Sequence, residues 1–96
     1  MTIRRLVIDV LIPHEPSEIV YAERLSELNG TEGATVHVLE VDEKTKTVEI
    51  TIEGEALSFE DIKEIIEELG GSVHSVDRVS AGSRIVDSKA KGEEEG

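Results

Sequence analysis

Two groups of side chains in this sequence could do chemistry. The first is Asp9 with Glu49. Asp9 interrupts an apolar run, IRRLVIDVLI at residues 3–12, where a lone carboxylate is costly unless it is paired or coordinated. If that run pairs antiparallel with residues 47–53 so that Asp9 faces Glu49, then Arg5 faces Glu53, which gives an ion pair beside two facing carboxylates. Facing carboxylates repel unless one is protonated or a hard cation such as Ca²⁺ or Mg²⁺ sits between them. The plainer alternative pairs Asp9 with Arg5 or with an arginine of another subunit. The second group gathers His14, Glu15, Asp42, Glu43 and His74 at one end of the expected sheet. Two histidines with carboxylates can bind Zn²⁺ or move protons near neutral pH, so a metal-dependent enzyme working through His14 and His74 is the alternative function. The spacing matches no compact zinc signature, which leaves Zn²⁺ less favoured than Ca²⁺ or Mg²⁺. His14 capping its own turn and His74 packing at an edge is the plainer reading. His37, among valines, reads as a packing residue. Residues 42–53 lack the alternating Asp/Asn ligands and central Gly of a helix-loop-helix calcium loop.

Composition narrows the field. Ninety-six residues make one domain with one modest core. The 22 acidic against 10 basic side chains give a net charge of −12, which repels polyphosphates and anionic membranes, and the only aromatics are Tyr21 and Phe59, too few for base stacking. Neither nucleic acid nor a membrane is expected as a partner. The absence of cysteine excludes disulfides and thiolate chemistry. Asp9 and Pro13 break the N-terminal apolar run, so neither a signal peptide nor a membrane span is expected, and the default location is the cytoplasm.

The elements that must position these groups follow from periodicity. Residues 3–12 suit a central strand: Leu6, Ile8, Val10 and Ile12 form one apolar face, and Ile3, Arg5, Val7, Asp9 and Leu11 a mixed one. Pro13 to Pro16 makes a stiff connection to a helix expected to start at Pro16 and carry Ile19, Ala22, Leu25 and Leu28 inward before Asn29-Gly30 ends it. Residues 34–41 read as a strand with Val36 and Val38 on one face and His37, Leu39 and Val41 on the other. A polar turn, DEKTK, leads to a strand at residues 47–53 with Val48, Ile50 and Ile52 inward. Ser58 should cap a second helix whose stripe is Phe59, Ile62, Ile65, Ile66 and Leu69, with Gly70-Gly71 as its stop. In residues 72–81 the spacing of three between Val73, Val76 and Val79 suggests a bulge. The order strand, helix, strand, strand, helix, strand predicts an α+β ferredoxin-like βαββαβ fold: one domain over residues 1–82, a four-stranded antiparallel sheet ordered 4-1-3-2, and two helices on one face. Residues 83–96 read as a polar, mobile tail.

With helices on one face only, Val7, Leu11, Leu39 and Val41 would lie in water in a monomer. That argues for a homo-oligomer closed through this face; the edge strands offer a second route to assembly.

The segments IRRLVIDVLIPHEP and TVEITIEGEALSFEDIKEIIEELGGSVHSVD, with Val79-Ser80-Ala81-Gly82, resemble an archaeal family, domain of unknown function 211, over residues 2–82. The resemblance implies a ferredoxin-like fold and self-assembly and supplies no activity and no site residues. Other ferredoxin-like classes want parts that are missing: a thiolate pair for a metal chaperone, a Gly-rich loop for a phosphatase, aromatics and positive charge for an RNA module. A small regulatory domain whose metabolite is unknown and an acidic docking factor stay open. The expectation is a non-enzymatic, self-assembling domain, regulatory or scaffolding, that binds a divalent cation through acidic side chains.

Overall fold

The computed structural model describes residues 2–87. Six elements follow one another: β1 (Ile3–Pro13), α1 (Glu18–Ser26), β2 (Thr31–Val41), β3 (Thr45–Leu57), α2 (Phe59–Glu68) and β4 (Ser72–Ala81). All strand pairings are antiparallel and the sheet runs β2-β3-β1-β4, the ferredoxin-like order predicted from the sequence. β1 is central because its even side chains Leu6, Ile8, Val10 and Ile12 are all buried, while its main chain bonds to a strand on each side. Against them pack Val48, Ile50 and Ile52 of β3, Tyr21 and Leu25 of α1, and Ile62 and Ile66 of α2. One sheet and one helix layer make a slab 37 × 34 × 17 Å.

The helix ends follow their capping residues. α1 starts after Ser17, whose Oγ accepts the Ile19 N–H at 3.3 Å, and not at Pro16, which lies outside the helix. α2 starts as the sequence predicts, with Ser58 Oγ accepting the Asp61 N–H at 3.2 Å. Arg24 on α1 and Glu68 on α2 join the helices at 3.2 Å.

Both strands of the hairpin are longer than expected, β2 starting at Thr31 instead of Ala34 and β3 running to Leu57 instead of Glu53. The extension depends on two glycines in backbone contact: a Cβ on Gly54 would strike the Gly30 carbonyl, and one on Gly30 the Ala56 carbonyl. Besides a break between Ile3 and Arg5, β4 leaves register with β1 twice more, between Asp9 and Val10 and between Val7 and Ile8. They place an extra residue at His74 and at Asp77, so Val73, Val76 and Val79 all face the helix side opposite Val10, Ile8 and Leu6. Only Val73 packs against the core; Val76 and Val79 lie at the rim and stay 42% and 53% exposed.

Part of the expected tail is fixed to the sheet. Arg4 Nη1 donates to the Ser83 carbonyl at 2.6 Å, and Arg5 Nη1 to Asp87 Oδ1 at 2.8 Å; residues 88–96 lie outside the described residues. Among the described residues no helix is long and apolar enough to cross a membrane.

Candidate functional site

The sheet face away from the helices carries its polar side chains in cross-strand rows, because residues directly opposite in antiparallel strands point to the same side. Asp9 pairs with Glu49 and Arg5 with Glu53, the register that the sequence left as a condition. Arg5 Nε reaches Glu53 Oε2 at 2.8 Å and its Nη1 holds Asp87. Those hydrogen bonds, Asp87 first and then Glu53, raise the already high pKa of the guanidinium. Arg5 is thus committed to Glu53 and Asp87, and the alternative in which it neutralises Asp9 within the same chain does not form.

The row through Asp9 is wider than the sequence reading gave it. Glu49 also pairs with His37 on β2, and Asp9 with Ser75 on β4, so the row reads His37, Glu49, Asp9, Ser75 across all four strands. His37 is exposed and not the packing residue the neighbouring valines suggested; its odd position, shared with Thr35, was the available signal. Ser75 was hidden by the bulges of β4. Beside the row lies a groove of about 360 Å³ lined by Asp9, Val10, Leu11, Thr47, Ser72, Val73 and His74. Asp9 and Glu49 are half-buried and His74 is exposed. Among the described residues no three His, Asp or Glu side chains stand close enough to hold a metal ion, so a cation between Asp9 and Glu49 would draw its other oxygens from water or from another molecule.

The histidine end is not one site. His14 Nε2 donates to the carbonyls of Asp42 and Glu43 at 2.9 and 3.1 Å, pinning the end of β1 to the β2–β3 turn. Glu15 beside it is exposed. His74 lies in the groove with Asp9, across from the Asp9–Val10 step of β1, about 13–16 Å along the strand from His14 at 3.3 Å per residue. The structure brings His74 to Asp9 and separates both from His14 and Glu15.

The apolar residues of the open face divide as well. Val7 is half-buried there and Leu11 and Leu39 are 41% and 54% exposed. Val41 is not on this face. β2 has an extra residue between Val38, which pairs with Val48, and Glu40, which pairs with Thr47, so Val41 pairs with Lys46. Lys46 turns to the helix side, where its Nζ meets Glu18 Oε1 at 2.7 Å, and Val41 goes with it. The Lys46 hydrogen bond lowers the Glu18 pKa below its ordinary value.

Residues 4–95 match the archaeal family described as uncharacterized ArCR, domain of unknown function 211. The chain belongs to that family. The uncharacterized protein MJ0319 of Methanocaldococcus jannaschii is 47% identical to the chain over 85 residues, which cover 88% of each. The domain of unknown function 211 match reaches past the described residues into the acidic C-terminal end, so the family includes that segment as well as the sheet and helices.

Proposed function

We propose that the chain is a non-enzymatic, cytoplasmic, self-assembling domain with a regulatory or scaffolding role, which closes its open sheet face against a second copy and takes a Ca²⁺ or Mg²⁺ ion through acidic side chains there. The observation that carries this reading is the face itself: Val7, Leu11 and Leu39 have no helix over them, and Asp9 and Glu49 face each other among them. Exposed apolar area rimmed by polar groups marks an interface, and a second copy is the commonest partner of a small domain. Two carboxylates from each copy would supply several of the oxygens a hard cation prefers. With a net charge of −12, neutralisation by a cation would also relieve repulsion between copies.

Native mass spectrometry before and after chelator treatment tests both parts. The expected result is one oligomeric mass that loses a divalent cation, or dissociates, with chelator. Leu11→Lys places a charge on the central strand of the face and should lower the oligomeric mass while leaving the chain folded. A metal-free monomer in every sample, or an unchanged oligomer in the Leu11→Lys chain, would refute the open-face interface.

A further inference from the structure

The groove beside Asp9 lies at a bulge of β4. Asp9 pairs with Ser75 and Val10 with Val73, so His74 between them has no residue opposite it on β1. An extra residue of this kind interrupts the main-chain ladder and re-aims a side chain, and such bulges are over-represented next to active sites. Val10 is fully buried and Val73 packs against the core. Both side chains are thus on the helix side, and the floor of the groove is their main chain. The walls rise on the open face. Leu11 pairs with Thr47 on β3 and with Ser72 on β4, and directly opposite residues share a face, so one wall is an apolar side chain between two hydroxyls. Asp9 and His74 form the other wall, with Asp9 two residues from Leu11, about 6.6 Å along β1.

These groups select a ligand by charge, shape and size. Asp9 is half-buried, and it takes part in none of the ion pairs among the described residues. An ionised carboxylate only accepts hydrogen bonds, and the hydroxyls of Thr47 and Ser72 can accept as well, so the groove asks for a donor. The net charge of −12 repels anions and concentrates cations at the surface. Leu11, 41% exposed, gives a bare metal ion nothing, whereas a carbon chain laid against it removes apolar area from water. The volume of about 360 Å³ lies near the lower end of small-molecule sites, about 300–1,000 Å³.

We propose that this groove binds a small primary alkylammonium ion. Its N–H groups donate to the Asp9 carboxylate and to the hydroxyls of the facing wall, its carbon chain lies along Leu11, and the imidazole of His74 closes the side next to Asp9. Hydrogen bonds between ionised partners are about twice as strong as neutral ones, so Asp9 dominates the affinity. The proposal rests neither on self-assembly nor on a metal ion between Asp9 and Glu49; a metal ion there would compete with the amine for Asp9.

The test is saturation-transfer-difference NMR, which observes the ligand and works at any oligomer size. It uses the full chain at pH about 8, where an alkylamine is still protonated, in about 0.15 M salt to screen exposed charges. The probes are n-butylammonium chloride and, with the same chain and no charge, n-butanol. Butylammonium should receive saturation, most strongly at its methyl end, and butanol should receive little. Asp9→Asn, close in shape and without the charge, should weaken butylammonium binding at least about tenfold, with the fold checked by circular dichroism. Leu11→Ala should reduce the transfer to the methyl end. Glu23→Gln, an exposed carboxylate on α1, should change nothing. Equal transfer to butanol, or unchanged affinity in Asp9→Asn, would overturn the proposal. So would an equal loss in Glu23→Gln, which would mark diffuse attraction to an acidic surface.

Discussion

Tyr21 is the side chain on which both helices and the start of β4 converge. It is fully buried, its hydroxyl donates to the Leu69 carbonyl at 2.9 Å, and burial raises its pKa, so it stays a protonated donor. Gly71 completes the fit: a Cβ there would lie 3.1 Å from Ile66 Cγ2 and 3.2 Å from both the Leu11 carbonyl and the Tyr21 hydroxyl. Gly71→Ala should therefore cost about 1–3 kcal/mol by overpacking, read as a lower urea midpoint. The Glu18–Lys46 pair sets a pH dependence. A carboxylate whose folded pKa is depressed contributes stability that is present above its unfolded value, about 4.3, and is lost as pH falls through the folded value. Glu18→Gln should thus be less stable than the native chain at pH 6, and the difference should shrink toward zero on acidification below pH about 4, followed by urea unfolding at each pH. At this scale the sequence made legible which side chains share a face of a regular strand, through period-two alternation, and that Arg5 faces Glu53 if Asp9 faces Glu49; that this register is the one formed came only with the structure. It did not separate His14 from His74, because the partners of His14 are main-chain carbonyls, which carry no mark in the residue types.

Among the elements, α2 was the easiest to read. Its cap, its apolar stripe and its Gly-Gly stop are all local signals, and the observed limits, Phe59–Glu68, follow them. Ser58→Ala should remove the bond to the Asp61 N–H and cost about 1 kcal/mol, measurable as a fall in melting temperature by circular dichroism. The strands were harder where they leave strict alternation. The spacing of three in β4 did signal a bulge, because only an extra residue can bring Val73, Val76 and Val79 to one side. The bulge of β2 at Leu39 had no such signal: Leu39 and Val41 alternate as a flat strand would, and only the pairing of Glu40 with Thr47 shows that they part. The lengths of β2 and β3 were hidden for a related reason, since the contact between Gly30 and Gly54 is made by residues far apart in sequence.

For the whole molecule the dominant property is charge. Copies carrying −12 each repel across any shared surface, and added salt shortens the reach of that repulsion from about 30 Å at 0.01 M to about 3 Å at 1 M. Self-association should accordingly strengthen as monovalent salt rises, the reverse of an interface held by ion pairs, and sedimentation velocity over that range would show it as a growing oligomer fraction. A sedimentation coefficient that falls with salt would place attraction between opposite charges at the contact. The strand order has a consequence in time. β1 is made before both of its neighbours, which come much later: β3 begins at Thr45 and β4 ends at Ala81. At about 5–20 residues per second, the most apolar strand of the chain spends several seconds with neither partner synthesised. The sheet can therefore close around residues 3–12 only once the chain has been made as far as Leu57 on one side and Ala81 on the other.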